Sequence, residues 1–389
     1  NMLSWATESL LVDGRSEGDI RQGVTLEVFG EGTSMGPLTP GMREQLIAEQ
    51  AELQYAVPWT TLAEYLDHLV DRGVAPNVAS FVGATTVRIH ELGYADRRPD
   101  ASELGRMIAL VEQAMRDGAL GVGSSLIYAP AAFADTTELT ALAAAAARLG
   151  GRYISHVRGE GDTLTSAVGE LIDIARAARA PAEIYHLKAL GPHAAMNFDR
   201  ALTMIEDARA GGLAIGADMY PYAASATGLD AAMPPWVQEG GTVGWVARLR
   251  DPATRAKVVD QMRRPGRGWE NHLHLAGDPS RVQLARFRTE RLRRWAGRTL
   301  ADVARDRDVS PEDAAVDLVI EDESRVEAIY FNQAPEVVDR AIRLPWVTFG
   351  SDAASMSTEA PFLDSHPHPR AYGTFARVLG RFVRDERAV

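Results

Sequence analysis

The sequence predicts an α/β fold, most simply a (β/α)8 barrel, on three observations. Short apolar, strand-like runs recur along the chain, helical patterns lie between most of them, and the ends of the runs are unusually polar. Strand–helix alternation implies parallel strands joined by helical crossovers. Seven runs read as strands: 24–30, 77–83, 120–126, 152–157, 182–187, 213–220 and 346–350. "NMLSW" at the N-terminus supplies the end of an eighth. Eight strands suggest a closed barrel, and an open doubly wound sheet is the alternative. No GxGxxG follows a strand, so the dinucleotide fingerprint is absent.

The helices follow from apolar spacings of three and four. They are expected at 61–73, 103–118, 138–151, 167–180 and 198–212, several of them closed by glycine. The alternation breaks between 231 and 336, which holds "PPW", "RRPGRGW" and "RFRTERLRRWAG", the last read as an Arg-rich helix. This region is expected to be an insertion between the seventh and eighth strands. It is long enough to cover the barrel mouth as a lid. The whole chain, 1–389, then forms one barrel domain carrying that insertion.

Composition excludes several function classes. With 46% hydrophobic and 24% charged residues the chain is an ordinary globular one, with length for a large core. The net charge of -12 and the lack of a long basic run disfavour nucleic acid. No apolar run reaches ~18 residues, the length of a membrane span. The absence of cysteine excludes disulfides, thiolate ligands and a thiol nucleophile. The chain starts at Asn1 without a signal peptide, as a processed or incompletely represented product would. Cytoplasm is the favoured compartment, with an exported form left open, and oligomeric state is not readable.

In a barrel, chemistry sits at the C-terminal strand ends. Here those ends deliver Glu31 in "VTLEVFGEG", Tyr128 in "SSLIYAP", His156 in "YISHVRGEGD", and His186 and Lys188 in "IYHLKALGP". Further on they deliver Asp218, Tyr220 and Tyr222 in "GADMYPYAAS" and Asp352 in "TFGSDAAS". A lone strand histidine is more often a satisfied core residue. Two at the same level of neighbouring strands point to a metal instead, since imidazole is its commonest ligand. Glu31 is either a polar residue in a glycine turn or the third, anionic ligand of a site with an open position. Asp352 is either a helix cap or the base that takes a proton from water. His272 and His274, in "NHLHLAG", alternate as on a strand but lie in the insertion, so they are expected not to be ligands. His366 and His368 are Pro-flanked loop residues that would line the mouth.

These strand ends resemble the N-acyl-D-amino-acid deacylases (D-aminoacylases) of the amidohydrolase superfamily. The matching segments are "QGVT", "GALGVGSSLIYAP", "SHVRGEGD", "HLKALG", "DMYPYAAS", "GSDAAS" and "HPHPRAYGTFARVLGRFVR", in family order. The resemblance implies a metal-dependent amide hydrolase on a TIM barrel, acting on small-molecule N-acyl-D-amino acids. It implies His156 and His186 as metal ligands and Asp352 as the catalytic aspartate. Where the family usually has a cysteine in a "GNCG"-like turn, this chain has Glu31, which is expected to replace it. Substrate-binding positions of the family match Tyr128, Lys188, Tyr220 and Ser225. The superfamily's HxH should fall at Leu3 and Trp5, neither of which can coordinate. One Zn2+ per chain is therefore expected, with another divalent ion as the alternative. The family's flanking β-sandwich is largely missing between Asn1 and Val389. The rival readings are a cyclic amidase or dihydroorotase-like amidohydrolase, and a degenerate barrel that binds without turnover.

Overall fold

A computed structural model describes residues 1–51 and 53–389 of the chain. Its strands are β1 (Leu26–Phe29), β2 (Asn77–Ser80), β3 (Val82–Gly83), β4 (Gly121–Ser125), β5 (Arg152–His156) and β6 (Ala182–Ile184). They continue with β7 (Ile215–Met219), β8 (Ser225–Gly228), β9 (Val282–Arg286), β10 (Glu327–Tyr330) and β11 (Val347–Phe349). Six of them form one parallel sheet in the order β11-β7-β6-β5-β4-β3, and β1 pairs in parallel with β2. The α/β class and parallel pairing are those the alternation predicted. The run 182–187 is only half strand, because His186 takes a left-handed backbone (φ 38°) and turns the chain.

Backbone bonds join the two parallel sheets. Ser4 donates to Val28 O (2.9 Å), Met2 to Phe349 O (3.0 Å), and Leu120 to Ser80 O (2.9 Å). The N-terminal segment thus lies between β11 and β1, and β2 continues to β4. Leu3, Val28, Phe81, Ile154 and Tyr185 cluster together, each almost wholly buried.

The helices form where local signals and apolar faces agree. Leu62–Arg72 starts at Thr61, whose hydroxyl accepts from Glu64 N while the Glu64 carboxylate accepts from Thr61 N. Such a cap is worth about 1 kcal/mol. The helix buries Leu62, Tyr65 and Leu69 in the main core. Ala101–Arg116 repeats the device with Asp100 and Glu103.

A second core lies between β8 and β10. Strands β8, β10 and β9 make an antiparallel sheet over Leu229, Val237, Trp245, Leu284, Leu318 and Tyr330. The helix Pro335–Ala341 returns to the main core through Val337, Val338 and Ala341. The Arg-rich run is a correction to the sequence reading. Its α-helix is absent: β9 ends at Arg286 and a short 3-10 helix spans Glu290–Trp295. The Asp322 carboxylate holds the intervening backbone by accepting from Arg288 N (3.0 Å) and Thr289 N (2.8 Å). Leu292 and Trp295, three apart, then share one face, as the tighter helix requires. Among the described residues no helix is long and apolar enough to cross a membrane.

Candidate functional site

A cavity of about 770 Å³ lies between the strand ends and the second core, lined from one side by Glu31, His156, Lys188 and Asp352 and from the other by Trp245 and Arg325. Glu31 reaches it from the turn after β1. Gly30 (φ 109°) and Gly32 (φ 72°) flank it. A Cβ at Gly30 would lie 2.5 Å from Phe81 O, and one at Gly32 would lie 2.6 Å from Ser125 Cβ. Only glycine permits both the turn and the close approach. Glu31 is therefore a turn residue, yet its carboxylate is buried and points inward.

Three donor atoms converge there. Glu31 Oε1 lies 2.8 Å from His156 Nδ1 and 3.0 Å from His186 Nε2, and the two nitrogens are 3.0 Å apart. Among the described residues these three form the one group of His, Asp and Glu placed to share a metal ion. A tetrahedral site with bonds of about 2.0 Å has ligand atoms roughly 3.3 Å apart, so the triangle is nearly the right size. A cation would satisfy all three atoms at once, where two imidazoles cannot both be satisfied by one another. Burial opposes charge on Glu31, but His186 and His156 beside it hold its carboxyl well below the usual range. Burial pushes His156 downward, toward the neutral form a ligand needs.

The outer faces of the histidines meet a residue the sequence reading passed over. Glu160 Oε1 lies 3.1 Å from His186 Nδ1 and accepts from Lys188 Nζ at 2.6 Å, and Glu160 Oε2 is 3.8 Å from His156 Nε2. Its signal was present in the sequence: it stands four residues past His156 in a second Gly-Glu-Gly.

Asp352 also takes a left-handed backbone, φ 50°. No helix begins behind it among the described residues before Phe362, so it caps none. Its Oδ2 pairs with Arg370 Nη1 at 2.7 Å. Burial raises its proton affinity, and Arg370 opposes the rise. Trp5 Nε1 lies 3.1 Å from both Asp352 Oδ1 and Glu31 Oε2, so one indole N–H ties the two carboxylates together. Neither the role of Trp5 as a donor nor that of Arg370 was read from the sequence. Arg370 lies in the quoted "HPHPR" segment, where the histidines drew the weight.

The positions matched to substrate binding share the cavity. Tyr128 Oη bonds Thr227 Oγ1 (2.8 Å), Tyr220 Oη accepts from Gln333 (2.9 Å), and Ser225 donates to Asn332 (2.9 Å). Leu3 is fully buried in its apolar cluster. His272 departs from expectation. It opens a short helix, His272–Ala276, and does not lie on a strand, because Asn271 caps the turn by accepting from His274 N. It also lines the cavity, buried, with no hydrogen-bond partner on either ring nitrogen among the described residues. Burial pushes it down to about 3. His274 is exposed. Of the two histidines expected to line the mouth, His368 lines the cavity, its Nδ1 accepting from Arg370 N, and His366 is not among the lining residues.

Comparison with known proteins bears out the resemblance. The chain is 30% identical to D-aminoacylase of Alcaligenes xylosoxydans xylosoxydans over 373 residues, 94% of this chain and 64% of the relative. It thus spans under two thirds of that relative's length. Its fold matches a D-aminoacylase structure described for a binuclear metal centre with one-metal activation and second-metal attenuation. The TM-score is 0.74 at 27% identity, over 100% of this chain and 70% of the other. It also matches N-acyl-D-glutamate deacylase from Bordetella bronchiseptica, complexed with zinc and a phosphonate inhibitor. There the TM-score is 0.76 at 24% identity, over 100% and 70% of the two chains. No family model matches the chain.

Proposed function

We propose that this chain is the catalytic part of a metal-dependent hydrolase that cleaves N-acyl-D-amino acids to a carboxylate and a D-amino acid. One observation carries the reading. Glu31, His156 and His186 converge beside Asp352 in a chain similar to D-aminoacylase along 94% of its length.

The architecture is read as a (β/α)8 barrel. The bonds from residues 2–4 to Val28 and Phe349 support closure, as does the interior cluster around Leu3, which resembles the layers of a barrel core. Residues 231–336 are read as the insertion, supported by the separate core between β8 and β10.

One Zn2+ is proposed at Glu31, His156 and His186. When bound, such an ion lowers the pKa of its water toward ~7 and polarises an amide carbonyl. The remaining work belongs to the chain's own groups. Asp352 accepts the proton of the attacking water and returns it to the leaving nitrogen, a task its raised proton affinity suits. Trp5 fixes Asp352 and Glu31 at a common distance from one N–H. Lys188, Tyr128, Tyr220 and Ser225 line the cavity and are assigned to the substrate.

Asp352→Asn tests the reading. Zinc content should stay at the wild-type level while turnover of an acyl-D-amino acid panel falls by about 10²–10⁴, as for loss of a general base. Near-normal turnover by the zinc-replete variant would remove Asp352 from the mechanism. A zinc-replete wild type that turns over none of the panel would overturn the function.

A further inference from the structure

One of the side chains through which the second core meets the candidate metal centre is Glu270. Glu270 stands just before the short helix His272–Ala276, and its Oε2 accepts from Glu160 N at 2.7 Å. Glu160 in turn holds Lys188 Nζ at 2.6 Å and lies 3.1 Å from His186 Nδ1. The contact is built from both sides. Glycines flank Glu160, and a Cβ at Gly161 would come 3.2 Å from Glu270 Oε1 and 3.0 Å from Leu275 Cδ2. Behind Glu270, the Asn271 amide donates to Met262 O (2.8 Å) and Arg264 O (2.9 Å), which fixes the segment to its own core. Glu270 is itself buried.

We infer that Glu270 is a positioning residue, through which the second core holds Glu160 against His186 and so sets the affinity of the metal centre. The inference rests on the proposed metal reading of Glu31, His156 and His186. A metal-ligating histidine is oriented by whatever accepts from its other nitrogen, and removing such a partner typically costs 10–100-fold in affinity. Here the acceptor sits on a loop, and a loop carboxylate needs its backbone fixed. Glu270 does this by taking the amide N–H of Glu160 itself. Burial, then repulsion by Glu160, raises the Glu270 carboxyl to about 8, so near neutral pH it is largely uncharged. That state suits a group that must accept from the Glu160 backbone without repelling its carboxylate. The segment between β8 and β9 would then be part of the metal centre's support, and metal binding and docking of the second core would reinforce each other.

The test measures Zn2+ affinity by competition with a chromophoric chelator. Glu270→Ala should weaken Zn2+ roughly tenfold, the low end of the range for an outer partner. Glu270→Gln keeps the accepting oxygen and should bind like wild type. Gly161→Ala, whose Cβ crowds Leu275 and the Glu270 carboxylate, should weaken Zn2+ in the same direction by a smaller factor, and it serves if Glu270→Ala fails to fold. Arg255→Met is the control. Arg255 pairs with Asp313 (2.9 Å) within the second core, so its loss should lower Tm and leave Zn2+ affinity unchanged. Hydrogen exchange gives a readout of another kind: Zn2+ should protect the amides of 270–276. Wild-type Zn2+ affinity in Glu270→Ala and Gly161→Ala would overturn the inference. So would an equal loss in Arg255→Met, which would mean general loosening. A wild type that binds no Zn2+ would overturn the metal centre, and this inference with it.

Discussion

Two Gly-Glu-Gly turns bracket the same pair of histidines. The turn at 30–32 sends Glu31 to the inner nitrogens, His156 Nδ1 and His186 Nε2. The turn at 159–161 sends Glu160 to the outer ones, with His186 Nδ1 at 3.1 Å and His156 Nε2 at 3.8 Å. Both carboxylates are buried and both are held below the usual range against the cost of burial. Their partners differ. Glu31 has the histidines and an indole N–H, whereas Glu160 has the Lys188 ammonium first and the histidines after it. A carboxylate held by a lysine ammonium has little charge to offer a metal, whereas one held by histidines, which give up their protons to become ligands, keeps its charge available. The same tripeptide thus serves two tasks, decided by what stands opposite.

The largest expected effect breaks the inner turn. Glu31→Gln keeps the size and removes the charge. Zn2+ affinity should fall by more than the roughly 100-fold that marks the upper range for outer partners, read by chelator competition. Full occupancy with unchanged affinity would leave Glu31 as a turn residue alone.

How far the sequence disclosed this site follows from the same comparison. Glu31, His156, His186 and Asp352 stand at or just beyond strand ends, and a parallel α/β fold brings strand ends together whatever lies between them. Alternation and polarity were enough to mark them as candidates, and the family resemblance supplied the roles proposed for them. Glu160 sits in a loop beyond those ends, Arg370 opens the helix Arg370–Arg377, and Glu270 and His272 belong to the second core. Their meeting depends on how loops and cores dock, which no short-range period encodes. The failed helix at 286–297 has the same origin, because Asp322, distant in sequence, decides the backbone there. Trp5 stands at one of the two positions where the HxH was expected. That its N–H would serve two carboxylates needed coordinates.

The next effect sharpens the comparison at the outer turn. Glu160→Gln should weaken Zn2+ by about 10–100-fold, less than Glu31→Gln, since it loses a partner of a ligand and not a ligand. It should also free Lys188 from its carboxylate. If Glu160→Gln costs more than Glu31→Gln, the two roles are reversed.

The smallest effect on the metal is expected at Lys188, and it separates two uses of one ammonium. Lys188 Nζ lies 2.6 Å from Glu160 Oε1 and 2.7 Å from His186 Nδ1, yet the side chain also lines the cavity. Burial works against its charge, but Glu160 outweighs it and keeps the pKa raised, so the ammonium is present at neutral pH. An ammonium has three donors. One on Glu160 and one on His186 O leave a third for a substrate α-carboxylate, and a hydrogen bond to a charged group is worth about 1.5–3 kcal/mol, or roughly 10–100-fold. Lys188→Met should therefore raise KM by about that factor for acyl-D-amino acids, and far less for the same substrates capped as α-amides. Loss of a contact that is kept from the bound substrate through the transition state raises KM and leaves kcat in place. Zn2+ affinity should change by less than about tenfold, below the range for a direct partner of a ligand. If instead both substrates suffer alike and zinc is lost along with them, Lys188 belongs to Glu160 and the histidines, and the substrate carboxylate is held elsewhere.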